Sequence, residues 1–444
     1  MERSASSPSS SSSSASALLR FPRLRTAWMV VGSALLLGGL SFYLWRKTRL
    51  WREVLLFKRD INRRLQQERQ QRKARGEAPC FRDMLLGVAV GDAFGAGIEF
   101  KSREWILENV DFSRYLNERK GSWGEGFSAG MWTDDTEMTI GTMKAMMECE
   151  ILNSEILLTY WLNEYKLSEY RNGVPRQGHG GIRNFFTGGC TIEELRQQNR
   201  EKEYPGNAPP MRAIPLAFIQ DDPQRQFHYA LINADATHPH PKARAASYLI
   251  VKAAEYMIIK REEPRGIIDY CLASCGVEKI DEETYDYLRE VNQLEDYHVL
   301  EEKSRNRERQ RRERMEKRKD RDEEDYEEDE EEECGIDYEL LCGPQPIPTY
   351  NINGVGPDSM RTAGCVLYIL KFYRSPMDTL RIAIQMGGDV DSLASICLGI
   401  VGGRYGLTGL PSWMFDQLEA KDELIALAKR FEEFVAEAES CVLP

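Results

Sequence analysis

The sequence predicts an all-α domain preceded by a single membrane-spanning helix. From residue 80 onward, apolar residues recur at the spacing of helices. No run of alternating apolar and polar residues is long enough to require a β-sheet. Hydrophobic residues make up 42% of the chain, which is enough for a substantial core. We therefore expect one helical domain over residues 80–440, with an apolar segment before it.

The N-terminal region predicts a disordered tail followed by a transmembrane helix. Residues 1–27 are serine-rich and too polar to build a core. The apolar run Trp28–Trp45 would form a helix whose length, at about 1.5 Å per residue, roughly matches the hydrocarbon core of a bilayer. A secretory signal peptide and a targeting presequence are the alternatives. Against the signal peptide, Arg46 and Lys47 follow directly, without a clear cleavage site.

The distribution of charge predicts on which side of the membrane the domain lies, and it excludes nucleic acid as a main partner. Residues 46–79 form a basic linker, so the positive-inside rule places the domain in the cytosol. An anchor in the mitochondrial outer membrane would have the same layout. Residues 1–79 carry 16 Lys/Arg against 5 Asp/Glu, within a chain of net charge -12. The rest is strongly acidic, so we do not expect nucleic acid as a main partner.

Within the domain, helical periodicity predicts the elements in order. Phe81–Phe94 is an apolar helix rich in small residues, and Asp134–Glu148 is a long methionine-rich helix. The later predicted helices are Glu155–Leu167 capped by Ser154, Tyr248–Lys260, Ser359–Tyr373, a helix begun by the capping box Ser375–Asp378, Leu393–Tyr405 and Asp422–Ala438.

A charged insertion interrupts this helical pattern at residues 303–333. Its first part is rich in Arg and Lys, and Asp322–Glu333 is acidic at every position except Tyr326. Such a segment cannot bury apolar surface, so we expect a solvated insertion within one domain. A contact with another protein through this segment is the alternative.

Three acidic motifs carry the candidate chemistry. Gly87–Glu99 has glycines at helical spacing, which permit close approach of another helix. Trp132–Thr136 places a hydroxyl and two carboxylates before the methionine-rich helix. Met386–Ser392 has two glycines, which allow a sharp bend, and two aspartates at the start of a helix. Paired carboxylates suit Mg²⁺, Mn²⁺ or Ca²⁺, but helix packing and helix capping remain alternatives at this point.

The ordered set GVAVGDAFGAGIE, WTDDT and GGDVDSLASICLGIVGGRYG resembles the ADP-ribosylglycohydrolase family, which includes the dinitrogenase-reductase-activating glycohydrolases. The resemblance runs from about Cys80 to Trp413 and leaves out the charged insertion. It implies an orthogonal helical bundle that holds two Mg²⁺ ions, with Mn²⁺ as the alternative, between the three motifs. The metal ligands implied are Thr133, Asp134, Asp135, Asp389, Asp391 and Ser392.

The same resemblance implies catalytic and substrate-binding residues. Glu99 matches a glutamate beside the metals, and the catalytic set would be Glu99 with Asp134, Asp135 and Asp389. The substrate-binding residues implied are Gly178, Gly180, Gly181, Asn207 and His238. His179, within the glycine turn, is given no catalytic role. The prolines at 205, 209 and 210 remove backbone donors near Asn207, which is a departure from the family pattern.

These residues imply metal-assisted hydrolysis of the glycosidic bond in an ADP-ribose conjugate, on a protein side chain or a small molecule. Two cations can hold a water and orient ribose hydroxyls, while carboxylates stabilise the oxocarbenium character at ribose C1. One alternative is an inactive, membrane-tethered protein that binds ADP-ribose. The other is a scaffold that uses the anchor and the charged insertion. The metal carboxylates of all three motifs are retained, which favours the enzyme.

Overall fold

The computed structural model describes residues 71, 78–117, 128–220, 222–299 and 337–441. The predicted disordered segment 1–27, the predicted span 28–45, nearly all of the linker 46–79 and the insertion 303–333 lie outside these residues. Within the described ranges, none of the helices is both long enough and apolar enough to cross a bilayer.

The described residues fold as α-helices joined by loops, with only isolated β-bridges between them, so the all-α prediction is confirmed. The helices are α1 Phe81–Ala96, α2 Arg103–Asn109, α3 Asp134–Glu148, α4 Ser154–Asn172, α5 Gly181–Phe186, α6 Ile192–Arg200, α7 Ala208–Met211, α8 Pro223–Asp235, α9 Pro241–Ala254, α10 Ile267–Cys275, α11 Val277–Ile280, α12 Glu282–Val291, α13 Tyr338–Cys342, α14 Ser359–Phe372, α15 Pro376–Gln385, α16 Val390–Tyr405, α17 Ser412–Asp416 and α18 Lys421–Cys441.

Several predicted boundaries differ from the observed ones. The predicted helix Asp134–Glu148 is confirmed at both ends as α3. Ser154 is not the cap of α4: Asn153 caps it, because its side chain accepts the N–H of Ile156 at 2.8 Å. The helix predicted over Tyr248–Lys260 begins seven residues earlier as α9, and its last turn, Glu255–Lys260, is a π-helix.

Helices α1 and α16 pack with their backbones in near contact, as the glycine spacing of the first motif predicts. A Cβ atom added at Gly87, Gly91 or Gly95 would lie 2.3–2.4 Å from backbone atoms of α16. No larger side chain fits at these positions, so the close approach depends on glycine. The consequence is that the first and third acidic motifs, which are distant in sequence, lie side by side.

The centre of the core is α16, which is buried around its whole circumference from Val390 to Gly403. Its apolar side chains meet α1 on one side and α14 and α15 on others, and Val390 itself is fully buried. A helix that is apolar on every face is expected in the interior of a large domain. The two aspartates at its N-terminus are therefore held inside the protein rather than on its surface.

Candidate metal centre

A glycine turn sets the position of Asp389 at the start of α16. Gly387 and Gly388 have φ angles of 73° and 79°, in the region that side chains disfavour, so the predicted sharp bend is confirmed. The N–H of Phe100 donates to the carbonyl of Gly388 at 2.8 Å, and the N–H of Gly388 donates to the carbonyl of Lys101 at 2.9 Å. These bonds fix the turn against the loop that follows α1 and carries Glu99.

Helix capping does not explain the aspartates of the third motif. Asp389 occupies the cap position of α16, yet its side chain accepts no capping hydrogen bond. Thr133 likewise occupies the cap position of α3 without a side-chain capping bond. The capping alternative is therefore wrong for these two residues, and their oxygen atoms are available for other partners.

Asp92 takes the place of the missing cap of α3 from a different helix. One carboxylate oxygen accepts the N–H and the hydroxyl of Thr133, both at 2.8 Å. The other accepts the N–H of Thr136 at 2.9 Å and its hydroxyl at 2.6 Å. Asp92 thus ties α1 to the beginning of α3. Sequence reasoning missed it, although Asp92 stands within the first acidic motif, directly after Gly91.

The three motifs meet in two carboxylate triads. Oxygen atoms of Asp92, Asp135 and Asp391 all lie within 4.8 Å of one another, and the same holds for Glu99, Asp389 and Asp391. Asp391 belongs to both triads, so the two groups are adjacent. Each triad brings carboxylate oxygens close enough together to bind one hard cation, so the two triads together could hold two such cations.

Burial and like charge make this cluster unfavourable by itself. Burial, followed by the charges of Asp92 and Asp391, raises the pKa of Asp135 well above its usual range. Burial also raises the pKa of Asp389, although hydrogen bonding with Asp391, Ser392 and Asn207 opposes the shift. A buried carboxylate that lacks a partner costs several kcal/mol. A divalent cation would remove that cost, so the donor set fits one.

Two specific atoms support this fit. Oδ1 of Asp135 and Oδ1 of Asp389 are buried, and neither has a hydrogen-bond partner among the residues that the structure describes. Buried polar atoms are normally paired, so such atoms need an explanation. A cation at each triad, one ligated by Asp135 and the other by Asp389, supplies one. The resulting group is a candidate metal centre built from α1, α3 and α16.

The remaining predicted metal ligands lie beside the triads. The hydroxyl of Ser392 donates to Oδ2 of Asp135 at 3.3 Å. Thr133 reaches the cluster through its bonds to Asp92. Asp134 belongs to neither triad; burial raises its pKa to about 7, and the nearby charge of His179 opposes the shift. The structure therefore brings the hydroxyls and Asp134 next to the carboxylate triads without placing Asp134 inside one.

The glycine turn before α5 lies against Asp134. Gly178 has a φ of 105°, and a Cβ atom there would lie 1.6 Å from Oδ1 of Asp134. Gly180, with a φ of 49°, and Gly181 continue the turn into α5. His179 points into the protein, where its Nε2 lies 2.9 Å from Oε1 of Glu137. The turn is thus placed beside the metal centre, while the histidine fixes it to α3.

Asn207 and His238 lie on the other side of the centre. Nδ2 of Asn207 is 3.2 Å from Oδ2 of Asp389 and 3.2 Å from the hydroxyl of Thr362. The preceding Gly206 faces the imidazole of His238, since a Cβ atom on Gly206 would lie 2.9 Å from Nε2. Asn207 therefore adjoins the carboxylate cluster, and His238, from the segment between α8 and α9, packs against the residue that precedes Asn207.

A model of the ADP-ribosylglycohydrolase family matches residues 68–440, which contain all three acidic motifs. The chain belongs to the ADP-ribosylglycohydrolase family. The match extends from before α1 to the end of α18, with the charged insertion inside it.

Three curated relatives show distant homology within this family. The chain is similar to ADP-ribosyl-[dinitrogen reductase] glycohydrolase of Rhodospirillum rubrum, with 27% identity over 39% of this chain and 56% of that protein. It is 28% identical to the ADP-ribosylarginine hydrolase Tri1 of Serratia proteamaculans (strain 568), over 39% of this chain and 46% of Tri1. It is 26% identical to the ADP-ribosylhydrolase ARH3 of Gallus gallus, over 36% of this chain and 44% of ARH3.

The chain thus spans about half the length of the curated relatives it matches. A solved chain described as an ADP-ribosylglycohydrolase-related protein complex aligns over 80% of this chain and 99% of its own length. The identity is 17% and the TM-score is 0.49.

Proposed function

We propose that this protein hydrolyses the glycosidic bond of ADP-ribose conjugates and releases ADP-ribose, with two Mg²⁺ ions at the candidate metal centre and Mn²⁺ as a possible substitute. The observation that carries the proposal is the pair of buried carboxylate triads that share Asp391 in a member of the ADP-ribosylglycohydrolase family. The names of the three relatives, all hydrolases of ADP-ribosyl groups, support it.

The side chains around the centre suit the parts of this reaction. The residues that would hold the ions are Thr133, Asp134, Asp135, Asp389, Asp391 and Ser392. Bound divalent cations would polarise a water and orient ribose hydroxyls. Glu99 is partly buried, whereas the other members of its triad are buried. We assign it the role of general base, which takes the proton of the attacking water.

Other groups position the conjugate and stabilise the breaking bond. Negative charge at the cluster stabilises the oxocarbenium character that develops at ribose C1. The turn Gly178–Gly181 presents backbone beside Asp134, which suits close approach by a sugar or phosphate. Asn207 holds one oxygen of Asp389 from the opposite side. Substrate would therefore lie between the turn and the loop that carries Asn207.

The test is release of ADP-ribose from a panel of conjugates linked through arginine, serine, other side chains and small molecules, with Mg²⁺ present. We expect the wild-type chain to cleave at least one linkage. Asp389→Asn should lower the rate by more than about a hundredfold with all of them, because it removes charge from the second triad. A variant that retains wild-type rates would refute the assignment. Binding of ADP-ribose without release from any conjugate would favour an inactive binding protein.

A further inference from the structure

Arg212 is a buried cation whose bonds all go to neutral groups. Its guanidinium is fully buried and lies 3.6 Å over the ring of Trp161. It donates to the side chain and the carbonyl of Asn233, both at 2.8 Å, and to the hydroxyl of Thr237 at 2.8 Å. The hydrogen-bond acceptors around it in the described structure carry no charge. A buried charge of this kind is costly, and the nearby charge of Asp134 offsets only part of that cost.

The bonds around Thr237 fix the proton positions on the neighbouring imidazole. A guanidinium can only donate, so the hydroxyl oxygen of Thr237 is the acceptor for Arg212. Thr237 is fully buried, and its hydroxyl also lies 2.8 Å from Nδ1 of His238. Among the described residues this hydroxyl has no acceptor other than Nδ1, so its one proton goes to Nδ1, which is then the unprotonated nitrogen. Nε2 then carries the imidazole proton and is a hydrogen-bond donor.

The charge state of His238 agrees with this assignment. Burial, together with the positive charges of Arg212 and Lys202, lowers the pKa of His238 well below its usual range. The ring is therefore neutral, and a neutral imidazole has one donor and one acceptor nitrogen. The hydrogen bonds from Arg212 to Thr237 and from Thr237 to Nδ1 decide which imidazole nitrogen is the donor.

We infer that Arg212 and Thr237 are positioning residues that hold His238 as the Nε2–H tautomer, so that it offers a hydrogen-bond donor to the conjugate beside Gly206. This inference rests on the proposed function, because the acceptor would be a phosphate or hydroxyl oxygen of ADP-ribose. The location is suitable, since Nε2 faces Gly206 and the next residue, Asn207, contacts Asp389. The prolines at 205, 209 and 210 lack N–H groups, so a side-chain donor supplies what this loop's backbone does not.

The test combines the tautomer with the affinity for free ADP-ribose, both measured on the full chain. The chain is labelled with ¹⁵N-histidine, and the two ring nitrogens of each histidine are read from long-range ¹H–¹⁵N spectra. His238→Gln identifies the signals of His238. In Thr237→Val the Nδ1 nitrogen loses its donor, so its shift should move toward that of a mixture of tautomers. The dissociation constant for ADP-ribose should rise roughly tenfold, as expected for one weakened hydrogen bond.

Two further variants control for packing. Thr237→Ser keeps the hydroxyl and should retain the wild-type shifts and affinity. Thr379→Val removes a buried hydroxyl that has no hydrogen-bond partner within the described structure, so both readouts should stay unchanged. Unchanged ring shifts in Thr237→Val would overturn the inference, and so would changed shifts with unchanged affinity. The shifts are measured without ligand, so they decide the tautomer even if the wild-type chain releases no ADP-ribose and the proposed function fails.

Discussion

Replacing Asp92 by asparagine separates the stability of the domain from its affinity for cations. Asp92 accepts four hydrogen bonds from Thr133 and Thr136 at the start of α3. An amide has only one acceptor oxygen, so Asp92→Asn loses about two of these bonds. At about 1.5–3 kcal/mol for each bond to a charged acceptor, the loss is roughly 3–6 kcal/mol.

Removing the buried charge of Asp92 offsets part of this loss in folding free energy. Burial and the charge of Asp391 raise the pKa of Asp92 to about 6, from an ordinary value of 3.8. This pKa already includes the hydrogen bonds from Thr133 and Thr136, so at neutral pH the ionised carboxylate is a net cost to the fold. The loss in Asp92→Asn is therefore smaller than the bond count alone gives, and most domains tolerate a loss of that size. We expect the variant to fold, with a modestly lower midpoint of thermal unfolding.

Cation affinity should respond much more strongly. Asp92 holds Thr133 and the first turn of α3, and its oxygen lies in one triad with Asp135 and Asp391. Loss of such a group typically weakens metal binding by about 10–100-fold. Titration calorimetry with Mg²⁺ measures this directly. Asp83→Asn is the matched control: Asp83 is also a buried aspartate of α1, but it accepts the N–H of Leu407 away from the triads. Wild-type Mg²⁺ affinity in Asp92→Asn would refute the reasoning.

Two other perturbations test the electrostatics and the glycine turn. The folded chain keeps protons on Asp92 and Asp134, with pKa values of about 6 and 7, that the unfolded chain has released. Without metal, the free energy of unfolding should therefore fall as pH rises from about 4 to 7, and Mg²⁺ should oppose the fall at pH 7.5. Thermal unfolding in the presence of a chelator measures the pH dependence. A stability that does not change with pH under these conditions would contradict the expectation. Gly178→Ala would place a methyl group against Asp134 and should lower the rate of ADP-ribose release more than about tenfold. Gly188→Ala is the control, because Gly188 also has a positive φ, 77°, but a Cβ atom there would meet no other atom within 4 Å, so its rate should stay at the wild-type level. Equal rates in the two variants would exclude the turn from the site.

Features with a local cause could be predicted from the sequence. The spacing of Gly87, Gly91 and Gly95 specifies a helix face without side chains, so close packing against another helix follows from that face alone. The turn at Gly387 and Gly388 follows from two adjacent residues that tolerate positive φ. Each of these signals is contained within one or two helical turns. The meeting of the three acidic motifs has no such local cause, and only the family resemblance indicated it.

The residues that sequence reasoning missed act over longer distances. The partners of Asp92 follow it by 41 and 44 positions, and nothing in the spacing indicates that its helix crosses the start of α3. An isolated aspartate within an apolar helix does not by itself indicate a cap for another helix. The cap of α4 shows the opposite problem, since Asn153 and Ser154 are neighbours that both favour that position. There the local signal exists but does not choose between the two.

The close packing of α1 and α16 also explains why cation binding and folding should be coupled. The glycine face brings Asp92 and Glu99 to Asp391 by backbone contact, so these carboxylates cannot move apart without separating two core helices. The folded state therefore carries the cost of their burial and, in addition, of their mutual repulsion, and these two effects raise the pKa values of Asp92 and Asp135. A cation that neutralises them would bind only the folded chain and would stabilise it. We therefore expect the stability of the domain to depend on metal and on pH.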